Sequence, residues 1–277
     1  PELDPNRAET ATLDQQKNRC SGLSFELGSI FKLLSHAMAL DSGKVSINDQ
    51  FDATDVLRIG RHTIRDDHAK RKWLSVPEIF MYSSNIGTAR MTFAAGGAEP
   101  FKAFLGKLGL MERLPLEIRA SARPQLPSRW PDITTATASF GHGIATTPLQ
   151  FAAAVAALVG AGTRVRPPQH ARSPAAAKIR GARVVSPRTV QDLRYLMWLV
   201  VNAKGGTGTR AAAEGYVVGG KTGTAEKVKN GVYLRDRVVA SFVGAFPIDR
   251  PRYLVLVMLD DPRGDAGTHG FRYGGWT

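Results

Sequence analysis

The chain has 277 residues, of which 43% are apolar and 22% charged, a globular composition that excludes a wholly disordered protein. That length is near the ceiling for one hydrophobic core, so one large domain with two lobes is expected. Its 37 Lys+Arg against 24 Asp+Glu leave a net charge of +13, which favours polyanionic surroundings (nucleic acid, anionic lipid or acidic wall polymer) without choosing among them.

The lone Cys20 excludes an internal disulfide framework and a Cys-rich zinc site. No apolar run reaches the length of a membrane span; the longest candidates are residues 149–159 and 254–259. The sequence starts at Pro1 with no signal-peptide pattern, and it reads as a piece of a longer protein whose targeting segment lies upstream.

In chain order, residues 1–24 are polar and lack a period. Gly28-Ser29 opens a helix carrying Phe31, Leu33, Leu34, Ala37, Met38 and Leu40, with Gly43 as its stop. The segment 44–72, with Arg58, Arg61, Arg65, Lys70, Arg71 and Lys72, reads as a long exposed excursion. Ser75-Val-Pro-Glu78 has the cap, proline and glutamate of a helix start. Helices follow over 86–95 and 100–108. A stretch with four prolines, 113–133, is expected to be irregular.

Thr147-Pro148 opens an Ala-rich helix to Val159, residues 167–183 form a basic loop, and Ser186-Pro187 opens a helix to about Val201. The runs 216–218, 238–246 and 253–259 read as strands, with Asn230-Gly231 as a hairpin turn between the first two. The third run is apolar without alternation, which predicts a strand buried on both faces and helices on both sides of the sheet.

Three short motifs carry chemistry. In Ser29-Ile-Phe-Lys32 the spacing puts a hydroxyl and an amine on one face of a helix start, where negative charge on the Ser oxygen is favoured. In Ser83-Ser84-Asn85 a hydroxyl two residues from an amide can pass a proton and hold a carbonyl. In Lys221-Thr222-Gly223-Thr224 the glycine lets another backbone approach a strand, and the hydroxyls and the Lys suit a carboxylate. Each motif alone is common: Ser and Asn are ordinary caps, and a polar strand end is unremarkable in itself. Their order in one chain is not, because S-x-x-K, Ser-x-Asn and K-T-G together mark penicillin-binding proteins and class A β-lactamases.

With the stretches Met38–Lys44, Ser83–Gly87, Gly141–Gln150 and Gly220–Glu226, the sequence resembles the transpeptidase domain of class B penicillin-binding proteins. The segment from 64–68 through 80–85 most resembles the cell-division (septal) members of alphaproteobacteria. The resemblance implies a penicillin-binding protein/β-lactamase-like α/β fold: an antiparallel sheet with helices on both faces plus a helical lobe. The first two strands and last helix of that fold would lie outside this chain. The helical lobe would occupy about 44–200, and the sheet-rich part about 210–277 with the 29–42 helix.

The resemblance further implies a peptidoglycan D,D-transpeptidase that needs no metal or organic cofactor. Ser29 would attack the carbonyl between the terminal D-alanines of a stem peptide, with Lys32 as base. Ser83 would relay the proton, Asn85 would hold the substrate amide, and Lys221 would add positive field. Thr222, Gly223 and Thr224 would bind the substrate, and the backbone N–H groups of Ser29 and Thr224 would form the oxyanion hole. An amine of a second stem peptide would then release the acyl group as a cross-link.

The implied partners are stem peptides, lipid-linked precursor, β-lactams as covalent inhibitors, and division-complex membrane proteins, but not nucleic acid. The implied location is the periplasmic face of the inner membrane, through an upstream anchor.

Other readings weigh less. A β-lactamase of class A needs a Glu-x-x-x-Asn element, and Glu99, Glu112, Glu117 and Glu214 lack the Asn. A D,D-carboxypeptidase differs only in accepting water, and short motifs do not exclude it. An inactive binding scaffold would not keep all five side chains. Residues 215–222 match a P-loop, yet Gly223 and the predicted hairpin deny the loop the helix that an ATPase needs. His142, between two glycines, reads as a structural loop residue, and the basic run at 58–72 as a solvated face.

Overall fold

The helix that follows the Gly28 turn is buried on every side, and the rest of the chain is arranged around it. The structure, a computed structural model, describes residues 4–13, 15–117, 121–168, 181–229 and 232–276. A short strand, β1 (Phe25–Glu26), leads into a 3-10 turn over Gly28–Phe31 and then helix α1 (Lys32–Asp41). Eight successive residues of α1, Lys32 to Ala39, are buried. A helix apolar over most of its circumference has no solvent face to offer and becomes the centre of a core. Phe31 anchors it, edge-on to Phe101 and stacked on Phe151.

The segment 44–72 is more ordered than an exposed excursion. It holds β2 (Gln50–Asp52), β3 (Leu57–Ile59) and β4 (His62–Ile64). β3 pairs with β4, and β2 pairs with β5 (Trp73–Ser75). Ala53, Ile64 and Leu74 bury their side chains in a second, smaller core with Ile79, Ile86 and Phe140. Helix α2 (Val76–Met81) starts with the complete capping box expected: Glu78 N donates to Ser75 Oγ, and Ser75 N donates to Glu78 Oε2. Such a cap satisfies two donors that a helix start leaves open.

Helices α3 (Asn85–Ala94) and α4 (Ala98–Lys107) follow within a residue or two of the expected spans. The proline-rich stretch is irregular, but it ends in a helix that the residues did not announce, α5 (Asp132–Ser139). Its Thr- and Ala-rich sequence carries little helical pattern, and α5 packs on α1 and α3. The strand β6 (Ala145–Thr146) pairs with β1. Helices α6 (Pro148–Val159) and α7 (Pro187–Asn202) begin at Thr147 and Ser186 caps. Part of the basic loop 167–183, residues 169–180, lies outside the described residues, as does the Asn230-Gly231 turn.

The C-terminal sheet is antiparallel in the order β7 (Gly219–Lys229), β8 (Val232–Phe246), β9 (Tyr253–Asp260). Two expectations change here. Residues 216–218 are not strand: Tyr216 and Val217 are exposed, and β7 begins only where β8 supplies a partner at Gly219↔Ala245. β-Propensity without a pairing neighbour does not make a ladder.

The run 253–259 is not buried on both faces. Leu254, Leu256 and Met258 pack on the main core, whereas Tyr253, Val255, Val257 and Leu259 are 42–60% exposed. Helix α7 packs along β7, α6 reaches β9, and the Gly28–Phe31 turn lies on β7 and β8. On the face bearing Thr222, residues 207 and 274 cover the β7 end, and among the described residues nothing comparable covers β9.

Candidate active site

The three motifs reach one place from three directions. Ser29 sits in the 3-10 turn, half-buried, with Lys32 one turn later at the start of α1. Two close approaches fix that turn against β7. A Cβ on Gly28, whose φ is +55°, would stand 2.3 Å from Thr224 O. A Cβ on Gly223 would stand 2.9 Å from Leu27 O and 2.9 Å from Ile30 Cγ2. Only backbone without a side chain lets the Ser29 turn and the strand touch this closely.

Lys32 Nζ lies 2.9 Å from Ser29 Oγ, 2.6 Å from Ser83 O, 3.1 Å from Ser83 Oγ and 2.7 Å from Asn85 Oδ1. Lys221 Nζ lies 2.9 Å from Ser83 Oγ. So five candidate side chains, Ser29, Lys32, Ser83, Asn85 and Lys221, form one connected cluster. Both lysines have no exposed surface. Burial drives the Lys32 amine down to about 7, against an opposing pull from the carboxylates of Asp66 and Asp67. Burial also holds Lys221 well below the usual lysine range, and the Lys32 charge pushes it further down. Phe80 lies beneath Lys221 Nζ, 5.7 Å from the ring centroid, and Phe140 lies 6.0 Å from Lys32 Nζ.

Ser83 adopts φ +61°, a left-handed conformation that costs a non-glycine residue about 1 kcal/mol or more. It sits between the end of α2 and the start of α3, where Ser84 N donates to Ile79 O. A residue that the motifs did not reveal holds this junction. Asp66, from the loop after β4, accepts from Ser84 Oγ at 2.7 Å, Asn85 N at 2.6 Å and Ile86 N at 3.0 Å. Ser84 Oγ in turn caps α3 by accepting from Gly87 N, and Asn85 Nδ2 donates to Arg65 O. The stretch 64–68 carried a family resemblance, but Arg65-Asp66-Asp67 sits inside a basic run and no spacing assigns Asp66 to residues 83–85. The same run is not simply solvated. Lys70 Nζ stands 4.6 Å over the Tyr82 ring and Lys72 pairs with Glu78.

On the far side of Ser29, Thr222 is buried and Thr224 is half-buried on β7. Thr222 Oγ1 donates to Thr207 Oγ1 at 2.9 Å, and Gly274 N donates to Thr224 Oγ1 at 3.1 Å. The segments around 207 and 274 therefore border the same strand, which the motifs did not indicate. His142 stands edge-on to Phe140 and 6.2 Å from the Tyr233 ring, and burial holds its imidazole below the usual range. The Tyr233 hydroxyl donates to Glu26, three residues before Ser29. Burial raises both acids, with the Glu26 charge helping to push the phenol up to about 12. The P-loop match does not survive: Lys221-Thr222 lies inside β7, not at a helix start.

Residues 1–271 match the family of the penicillin binding protein transpeptidase domain. The chain belongs to that family. It is 40% identical to the probable peptidoglycan D,D-transpeptidase FtsI of Caulobacter vibrioides, over 100% of this chain and 48% of the relative. It is 37% identical to the probable peptidoglycan D,D-transpeptidase PenA of Neisseria gonorrhoeae, over 99% of this chain and 46% of the relative. Among solved structures, the apo TP domain of Burkholderia pseudomallei penicillin-binding protein 3 superposes with a TM-score of 0.84 at 31% identity, covering 94% of this chain and 76% of that one. The chain thus spans about half the length of these curated relatives.

Proposed function

We propose that this penicillin-binding transpeptidase domain forms an acyl-enzyme on Ser29 from D-Ala-D-Ala stem peptides and passes the acyl group to an amine, cross-linking septal peptidoglycan. The observation that carries the reading is the contact set of Lys32, whose buried amine touches the Ser29 hydroxyl and both functional members of the Ser83–Asn85 motif. A neutral amine has two hydrogens and one lone pair. The shortest contacts, Ser83 O and Asn85 Oδ1, are acceptors and take the hydrogens. The lone pair is left for the Ser29 hydroxyl proton, which is what a general base requires.

Substrate binding sets the protonation state. Two buried lysines sharing one hydroxyl cannot both be charged at low cost. A terminal carboxylate on Thr222 and Thr224 would bring negative charge to β7 and favour the proton on Lys221. A charged Lys221 would hold Lys32 neutral. Ser29 then attacks the carbonyl carbon, and the C–N bond to the terminal D-alanine breaks as Ser83 Oγ, fed by a lysine, delivers a proton to the departing amine. The backbone N–H groups of Ser29 and Thr224 are placed in this reading at the developing oxyanion. Among the described residues β7 is an outer strand of its sheet, which suits a donor peptide added as a strand. The reverse path, with an amine entering and Ser83 taking its proton, releases the cross-linked product.

The division into a helical lobe of about 44–200 and a sheet-rich part of about 210–277 with the 29–42 helix is part of the same reading. So are anchoring in the inner membrane facing the periplasm, and contacts with lipid-linked precursor and division proteins. Among the described residues no helix is long and apolar enough to cross a membrane.

The test is intact-mass spectrometry after exposure to benzylpenicillin. The β-lactam mimics the dipeptide, and its tethered leaving group stays attached, so a stable ester is expected on the wild type and none on Ser29→Ala. Equal adduct on both would overturn the nucleophile assignment. Turnover of a thioester substrate with and without a D-amino acid acceptor then separates transpeptidation from carboxypeptidation.

A further inference from the structure

One fully buried ionisable group takes no part in this chemistry. His36 lies one helical turn beyond Lys32 on α1 and has no exposed surface. Its Nδ1 is 2.8 Å from Lys32 O. A carbonyl oxygen can only accept, so Nδ1 carries the hydrogen and the lone pair is on Nε2. Nε2 is buried without a hydrogen-bond partner among the described residues. A branched apolar side chain would fill this volume and leave no nitrogen unpaired, so the imidazole is the costlier choice for a core.

What the imidazole touches explains the choice. Through Nδ1 it holds the carbonyl of Lys32. Its ring meets Phe80 edge-on, with centroids 4.9 Å apart, and Phe80 is the ring beneath Lys221 Nζ. One side chain therefore supports the backbone of one functional lysine and the surface under the other. The titratable groups acting on it are Lys32 from its own helix and Lys221 from β7, either of which opposes a proton on the ring when charged, while α2 presents the uncharged Phe80. A proton on His36 would add a further positive charge to a core that already disfavours charging both lysines. Burial and those two lysines keep the ring neutral, down to about pH 3.

We propose that His36 is a positioning residue for the catalytic lysine pair, pinning the first turn of α1 through the Lys32 carbonyl and bracing Phe80 under Lys221. The proposal rests on the reading of Lys32 as the general base.

The test compares His36→Asn, His36→Gln and His36→Leu in the full-length protein. The side-chain amide nitrogen of Asn can stand near the Nδ1 position, and that of Gln near Nε2. The readout is the second-order rate of acylation by benzylpenicillin per folded molecule, from about pH 5 to about pH 9. The Asn variant is expected within about twofold of wild type, because it can restore the bond to the carbonyl. The Leu and Gln variants are expected to slow about tenfold. Their acid limb should move up by about one pH unit, because a loosened Lys32 amine regains water.

A Leu variant with wild-type rate and limb overturns the proposal and leaves His36 as filler. If the Leu variant does not fold, Asn and Gln variants of equal rate overturn it instead. A wild-type profile without an acid limb, or acylation that survives Lys32→Ala, strikes the base assignment itself and is distinguishable from either result.

Discussion

Lys32 and Lys221 hold the same oxygen: their Nζ atoms lie 3.1 and 2.9 Å from Ser83 Oγ, in a site where neither lysine has exposed surface. A hydroxyl between two amines can receive a proton from one and pass it on. The reaction proposed above calls for such a relay, since the proton of Ser29 must reach the leaving amine.

Lys32→Ala should abolish acylation while the protein stays folded. In the wild type the acylation rate should rise about tenfold per pH unit up to about 7, where the Lys32 amine becomes neutral, and then level. Stopped-flow or quench measurements with benzylpenicillin across that range decide the point. A flat profile from acid to neutral would remove lysine from the role.

Asp66→Asn tests the support of the Ser83–Asn85 junction. The substitution removes a carboxylate that accepts from Ser84 Oγ and two backbone N–H groups. Loss of charge-assisted hydrogen bonds of this kind costs about 1–3 kcal/mol, readable as a lower urea midpoint. The acylation rate should fall. Because the Asp66 charge raises the Lys32 amine against burial, its removal should also shift the acid limb to lower pH, opposite to the shift for His36→Leu.

Gly223→Ala puts a methyl group 2.6 Å from Ser241 Oγ and 2.9 Å from both Leu27 O and Ile30 Cγ2. The strand or the Ser29 turn must move. Overpacking of this size costs about 1–3 kcal/mol, and a displacement of Ser29 by about 1 Å costs on the order of 100-fold in rate. Thermal melting and adduct yield should therefore diverge, with the yield suffering more than the fold. Equal, small losses in both would mean that the close approach is not functional.

Acid should unfold the protein partly through His36. Its folded value is lowered to about 3, below the unfolded value, so below about pH 6.5 the unfolded chain binds a proton that the folded one refuses. Stability from this group is full above that pH. It declines by up to about 1.4 kcal/mol per pH unit as pH falls toward the folded value. Denaturant titrations of wild type and His36→Leu between those limits should show a shallower decline in the variant. A better acid tolerance with a slower acylation would be the signature of a polar group retained for function at the expense of stability.

The residues alone made several elements readable, for local reasons. Ser75, Thr147 and Ser186 each begin a helix because the cap hydroxyl and the following proline act within one turn. The five chemical side chains were legible because each motif needs only a spacing of two or three residues. Lys32 reaches Ser29 across one turn, and Ser83 and Asn85 flank one residue.

What no local pattern carried was decided by distant packing. Asp66 is 18 residues from Ser84, and Thr207 is 15 from Thr222. Their roles exist only because the small β2–β5 hairpins and the α7–β7 connection bring them back to the site. Helix α5 forms within a weakly patterned stretch, where burial against α1 and α3 does what propensity does not. The β9 run reads as doubly buried from composition, yet one face stays exposed, because apolarity along a strand says nothing about which neighbours cover it. The sequence by itself determined which groups could act. The tertiary structure decided that two fully buried lysines would share one hydroxyl. That burial, which a string of residues cannot express, is what lowers their affinity for protons, as the proposed general base requires.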